Sequence, residues 1–276
     1  MNLLVRHLKR LFLYLLLLLT GMATLAPFLW MLSASFMYDG HASVYPPRFF
    51  PDHFTFSQYL NLFSRLNVGK YFFNSLFLAI TITFISLFLN SMAGYAFAKY
   101  RFKGKNLLFN MLLSSMIIPA QVTMLPLFLM LKTMGLINTY LAIIIPGLAN
   151  IFGIFLIRQY ALSIPDSLIE AARMDGATDF QIYRKVILPL CMPILTTLAI
   201  FTFMTIWNDF LWPLIALTDN SMYTLPVALA NLMQEHVRDP ELMMAGSVIT
   251  IIPVIIVFLA LQKYYISGIM LGGVKE

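Results

Sequence analysis

Apolar residues in this chain come in long runs, not in the period-two alternation of strands or the three-and-four spacing of soluble helices. Six runs, at about 11–36, 71–98, 107–131, 138–160, 190–214 and 245–265, reach the ~20 residues that a helix needs to cross a bilayer. In hydrocarbon every backbone polar group must be satisfied inside its own segment, so the runs predict helices. The fold class that follows is an all-α polytopic membrane protein with six transmembrane helices. The first run could instead be a cleaved signal peptide, since Arg6, Lys9 and Arg10 precede its leucines. It continues through Pro27, Trp30 and Phe36, well past the ~7–15 apolar residues of a signal segment, and so predicts a retained helix. Pro119, Pro126, Pro146 and Pro253 fall inside runs and predict kinks whose freed carbonyls neighbouring helices re-satisfy.

Composition agrees. Of 276 residues 60% are hydrophobic and only 11% charged, too few to cover a soluble surface, where about 25% is usual. The net charge of +6 therefore speaks for topology and not for nucleic acid. With the N-terminus placed in the cytoplasm, thirteen of the 18 Lys and Arg fall on that side. They include Arg6, Lys9, Arg10, Lys99, Arg101, Lys103, Lys105, Arg158, Arg173, Arg184, Lys185, Lys263 and Lys275. Arg48, Arg65, Lys70, Lys132 and Arg238 are left outside. Positive charge collects on the cytoplasmic side of membrane proteins, so both termini and the polar segment around Glu170 are expected there. The single cysteine, Cys191, excludes an internal disulfide and reads as a small apolar residue. The segment 37–70, with Tyr45, Pro46, Pro47, Phe49, Phe50 and Pro51, would lie outside, either as a packed connector or as part of a docking surface.

Between the fourth and fifth runs, residues 161–190 are polar and helical in character. Pro165 suits a first helical turn, where its missing N–H costs nothing. Asp166 and Glu170 put negative charge near that helix's positive end. Ala171 and Ala172 favour helix and keep one face thin, and Gly176 can end it in the left-handed conformation. Thr178-Asp179-Phe180-Gln181 reads as a capping box opening a second helix, which Pro189 closes. A solvated helix–glycine–helix between two apolar spans is either an ordinary surface hairpin or a part onto which something docks.

The series Glu170-Ala171-Ala172, Asp175-Gly176-Ala177 and Leu188-Pro189 resembles the cytoplasmic coupling loop of binding-protein-dependent ABC importer permeases. Downstream, Trp207-Asn208-Asp209-Phe210-Leu211-Trp212-Pro213-Leu214 is similar to the W-N-[DE]-F-x-W-P-L run of carbohydrate-type permeases. Thr224-Leu225-Pro226-Val227 and the tail Gly268–Lys275 resemble those of the maltose-type second permease. The likeness covers about residues 70–276. It implies a type I importer transmembrane domain over 70–276, with the coupling loop at 161–190, preceded by a helix and external loop at 1–69. It further implies that Glu170, Ala171, Ala172, Asp175, Gly176, Ala177, Leu188 and Pro189 form the loop that seats on an ATPase. The partners implied are a second permease, two ATP-binding-cassette subunits, an extracytoplasmic solute-binding protein and the lipid of a bacterial cytoplasmic membrane, with no nucleic acid.

Two polar stripes interrupt the apolar runs. Thr83, Ser86, Asn90 and Gly94 share one face of the second span, and Thr202, Thr205 and Asp209 one face of the fifth. Such stripes point away from lipid and either pack helices or line a solute path. Asn90, Thr205, Asn208 and Asp209 are the candidates for that path. Asp209 is costly within a membrane unless it is functional or bonded to nearby backbone, and the flanking Trp207 and Trp212 suggest an interfacial belt around it.

The chemistry of an enzyme is missing. No G-x-x-x-x-G-K-[ST] loop occurs, since Tyr71 follows Gly69-Lys70 and Asn106 follows Gly104-Lys105. His7, His41, His53 and His236 form no H-E-x-x-H pair. No cofactor is expected on this chain, and ATP and Mg are expected on partner subunits. A permease for amino acids or polyol phosphates remains an alternative. An intramembrane enzyme would need convergent titratable groups, and a channel or ion-coupled carrier would leave the Glu170 loop without a use.

Overall fold

A computed structural model describes residues 3–46, 48–65, 67–235 and 239–273. Pro47, His236, Arg238, Val274 and Lys275 lie outside the described residues. The chain runs through helices α1 (Leu3–Ala34), α2 (Ser57–Arg65), α3 (Val68–Lys99), α4 (Lys105–Ser115), α5 (Ala120–Thr133), α6 (Leu141–Gly147) and α7 (Ile151–Leu162). It continues through α8 (Asp166–Met174), α9 (Asp179–Ile182), a π-helical turn (Tyr183–Ile187), α10 (Leu188–Leu190), α11 (Met192–Trp207), α12 (Leu211–Ala216), α13 (Leu225–Glu235) and α14 (Pro240–Gly273). No strand occurs among the described residues.

Four helical stretches, at His7–Ala34, Val68–Lys99, Leu141–Leu162 and Pro240–Gln262, are each long and apolar enough to cross a membrane. Two bent pairs bring the number to six if each counts as one span. The fold is all-α and multi-pass, as expected, but three of the expected spans are interrupted. The run 107–131 is α4 and α5, bent by 104° across the residues that lead to Pro119. Pro119 has φ −59° and ψ 135°, outside the helical region, so the chain turns there. The run 138–160 breaks between α6 and α7, and Asn150 re-caps α7 by accepting from the Gly153 N–H at 3.1 Å. The run 190–214 bends by 77° at Cys191, near its start, and leaves its helix at Trp207.

The chain divides into two compact units. The first joins residues 1–69 to 229–252. Within it the segment after α1 is tied down: Phe36 meets Phe54, Phe56 and Tyr59 with ring centroids 5.4–6.1 Å apart. The Gln58 amide donates to Met37 O and to Asp39. The fully buried Glu241 accepts from the Ala42 N–H at 2.6 Å.

The second unit, 70–228 with 253–276, holds both candidate sites. Its largest apolar cluster gathers Tyr95 and Ala98 of α3, Ile157 and Ala161 of α7, Ile169 of α8, Tyr183 and Ile187 of the π turn and Leu195 and Leu198 of α11. A second cluster joins Leu78 and Ile82 to Leu131, Ala142, Ile143 and Trp212. Glycines let α3 come close to its neighbours. A Cβ on Gly94 would sit 2.8 Å from the Ile157 side chain and 3.0 Å from Ile154 O.

Candidate coupling loop and solute cleft

Helix α8 begins one residue later than Pro165 would allow at a first helical position. Pro165 is its N-cap, with ψ 134°, and Asp166 opens the helix. The end of α8 is closed by a Schellman motif. Ala177 N–H bonds Ala172 O and Gly176 N–H bonds Arg173 O, both at 3.0 Å. This requires a left-handed residue, and Gly176 has φ +82°. A Cβ there would meet nothing within 4 Å, so the glycine is demanded by the backbone and not by space.

The capping box is present in both directions. Thr178 Oγ1 accepts from Gln181 N–H at 3.3 Å and Gln181 Oε1 accepts from Thr178 N–H at 2.9 Å. Arg173 and Asp179 pair across the turn at 3.2 Å. The turn of the hairpin is therefore stiffened by its own caps, while Ile169 and Ile182 anchor its two arms in the large apolar cluster.

Its attachment is asymmetric. Ile169 is buried and Ala172 and Ala177 pack against the large apolar cluster, whereas Glu170, Ala171, Asp175 and Gly176 face outward. Ala172 thus packs within the chain, and Ala171 alone of the pair is free for a close partner contact. Two apolar side chains that motif reading passed over also face outward: Met174 is 84% exposed and Phe180 55%. Their signal was present as apolar residues in an otherwise polar segment. At the start of the loop, Lys99 Nζ donates to Ile164 O at 2.5 Å and to Asp166 Oδ1 at 2.6 Å. That bond and the ammonium charge hold the Asp166 carboxyl below its ordinary range. Around it a cleft of about 420 Å³ is lined by Tyr95, Lys99, Tyr100, Arg101, Glu170 and Arg173 among others.

Pro189 does not end the second helix of the loop. Helical backbone continues past it to Leu190, and the bend follows at Cys191. Ahead of the proline the register loosens into the π turn, where Leu188 N–H reaches back five residues to Tyr183 O. Leu188 packs against the large cluster while Pro189 is exposed.

The second site forms where α11 stops. Asn208 Nδ2 bonds Met204 O at 2.8 Å, and the chain turns through Asn208–Phe210 into α12. The Asp209 carboxylate stands beside the backbone N–H groups of Phe210, Leu211 and Trp212 at the start of α12. Trp207 and Trp212 are not an interfacial belt. Trp207 is fully buried, stacked on Phe203 at 5.9 Å and edge-on to Phe72 at 5.5 Å. Trp212 is 7% exposed and its Nε1 donates to Ala142 O at 2.9 Å. An indole held by ring packing or an internal carbonyl has no need of the interface. The two rings pin both arms of the corner and leave Asn208 outside. There Thr205, Asn208 and Asp209 line an open cleft of about 500 Å³ with Gln121, Thr123, Pro146 and Phe210.

Asn90 is elsewhere. It is 3% exposed, its amide NH₂ donates to Ser86 Oγ at 2.7 Å and its carbonyl accepts from Asn150 N–H at 3.2 Å. Its surroundings are those of a packing residue. No group of three His, Cys, Asp or Glu able to hold a metal ion occurs among the described residues.

A capped polar hairpin and an open cleft sit on one multi-pass helical scaffold, and the chain belongs to the binding-protein-dependent transport system inner membrane component family, whose model matches residues 90–270. It is 41% identical over 228 residues to the arabinooligosaccharides transport system permease protein AraQ of Halalkalibacterium halodurans, covering 82% of each chain. It is 31% identical over 261 residues to the diacetylchitobiose uptake system permease protein NgcG of Streptomyces coelicolor, covering 93% of this chain and 86% of that one. Among solved structures it matches a chain of a bacterial ABC transporter involved in the import of the acidic polysaccharide alginate. The TM-score is 0.86 at 27% identity, over 96% of this chain and 99% of that one. The fold is accordingly that of a type I importer transmembrane domain.

Proposed function

We propose that this chain is one permease subunit of an ATP-driven importer for a sugar, oligosaccharide or sugar-like solute. It pairs with a second, homologous permease, docks two ATPase subunits through the 161–190 loop and receives solute from an extracytoplasmic binding protein. Both termini and the loop face the cytoplasm of a bacterial cell. ATP and Mg are handled by the ATPase subunits, and this chain binds no cofactor. Closure of the ATPases moves the loop, and the spans switch access from one side of the membrane to the other. Such a switch needs partners that bind the two states with different affinity.

The observation that carries this reading is the hairpin. It is rigid through its Schellman turn, capping box and Arg173–Asp179 pair, yet it presents Glu170, Ala171, Met174 and Phe180 to the outside. The family relationship adds the transport setting. A carbohydrate is favoured by relatives named for oligosaccharides and by the cleft, whose Gln121, Thr123, Thr205 and Asn208 offer uncharged hydrogen bonds beside apolar Phe210 and Leu211. The solute-path assignment rests on Thr205, Asn208 and Asp209, with Asn90 serving their scaffold.

The test is solute uptake by the complete transporter in proteoliposomes. Gly176→Val forces a β-branched residue to φ +82°, a strained conformation costing about 1–3 kcal/mol, and is expected to abolish most uptake while membrane insertion persists. Glu170→Lys is expected to uncouple by reversing charge on the docking face. Unchanged uptake in both variants would remove the lever. The solute class is read from which of a sugar panel and an amino-acid panel, each with binding protein present, stimulates ATP hydrolysis.

A further inference from the structure

Helix α3 touches the coupling loop at both of the loop's ends. Near its C-terminus, Lys99 holds Ile164 O and Asp166 at the start of the loop. Eight residues earlier, about 12 Å along the helix axis, Ser91 meets Tyr183 at the far end of the loop, Oγ to Oη 2.6 Å. Both hydroxyls are buried, Ser91 at 2% and Tyr183 at 4% exposure. Ser91 Oγ also lies 2.9 Å from Phe88 O, to which it donates. A serine has one hydroxyl hydrogen, so the Tyr183 O–H is the donor to Ser91. Tyr183 is the first residue of the π turn, where the arm carrying the loop into α11 departs from regular helix. Such single π turns are soft points in otherwise stiff helices, and they recur at functional sites.

The same helix is bonded along the rest of its length. Asn90 accepts from Asn150 N–H at the α6–α7 break. Asn74, about 26 Å from Ser91 along the axis, donates to Ser221 O and Tyr223 O, and Ser75 accepts from Leu225 N–H at 2.7 Å. A rigid rod is thus fixed at one end to the coupling loop and at the other to the turn 221–225.

From this geometry we infer that the Tyr183–Ser91 hydroxyl pair is the positioning contact that hands movement of the 161–190 loop to α3, which delivers it to the opposite end of the unit. The inference rests on the coupling reading of the loop. Lys99 is the weaker grip, because its partner Asp166 is 74% exposed and screened by water. The buried pair has no competing water and keeps one geometry.

The experiment compares Tyr183→Phe, Ser91→Ala and the double variant in the reconstituted transporter, with Gly176→Val as the reference for loop coupling. Uptake per ATP hydrolysed and thermal stability in detergent are both measured. Tyr183→Phe removes the donor and leaves Ser91 bonded to Phe88 O, so it strands no buried group. Ser91→Ala strands the phenol, so it lowers the melting temperature more. Tyr183→Phe is expected to lower uptake per ATP about fivefold, at the low end of site-to-site coupling, and the double variant no further. Reduced stability with unchanged uptake per ATP in Tyr183→Phe would make the pair structural only and overturn the proposal. The coupling reading would survive that result if Gly176→Val still uncouples. If Gly176→Val also leaves uptake per ATP unchanged, both fall.

Discussion

Thr83, Ser86, Asn90 and Gly94 on α3 and Thr202, Thr205 and Asp209 on and just beyond α11 follow the same helical spacing, yet the first set is closed by neighbours while Thr205 and Asp209 of the second open on a cleft and Thr202 is buried. The difference lies in what stands opposite. Facing the first stripe are Gly153, which lets the Asn90 amide approach, and Ile157 with Ile154 O, which fill the space above Gly94. Facing the second is the bent pair α4–α5, where the chain leaves helical geometry at Pro119 and lines the cleft with Ala120, Gln121, Thr123 and Met124. A polar stripe in a span therefore establishes that its face avoids lipid. Whether it packs or conducts is decided by the size and continuity of the facing element.

The sharpest way to break the comparison is to overfill the closed stripe. Gly94→Val pushes side-chain atoms against Ile157 and against a backbone carbonyl that cannot yield. It is expected to destabilise the protein by about 3 kcal/mol, the upper range for overpacking, with loss of folded subunit in detergent as the readout. Full retention of folded protein would show that α3 and α7 are not tightly packed there.

A smaller effect is expected for Asn90→Leu. The change leaves the Asn150 N–H and the Ser86 hydroxyl without their partner, at about 1–3 kcal/mol for a buried group left unsatisfied. Thermal unfolding should move down while uptake by the surviving complex stays near normal. Loss of uptake with stability intact would put Asn90 on the solute path and erase the distinction between the stripes.

Much of this architecture could be read from residue order. Hydropathy placed the spans, and the turn chemistry of Gly176 and of Thr178 with Gln181 was realised atom by atom. The breaks were not legible. Pro119 sits at a 104° turn, whereas Pro126 and Pro253 stay inside helices. Proline frees a carbonyl in every case, and the packing of distant segments decides whether the helix continues. The π turn before Pro189 has no local signature for the same reason. Trp207 and Trp212 misled because tryptophan favours interfaces on average, while here each indole finds an aromatic stack or an internal carbonyl. A stripe that lines an open cleft and one that packs against a neighbour could not be told apart, because spacing along one helix carries no information about the helix opposite.

The central claim is that solute passes the Thr205 face under the control of ATP-driven movement of the loop. Thr205→Cys and Asn90→Cys, each in a Cys191→Ala background within the complete transporter, test it by labelling with a charged, membrane-impermeant thiol reagent. The account predicts that the cysteine at 205 reacts, that transported sugar slows the reaction, and that its rate changes when ATP is supplied with the binding protein, while the cysteine at 90 stays unreactive throughout. Equal labelling of both positions, or a rate at 205 indifferent to sugar and to ATP, would contradict it.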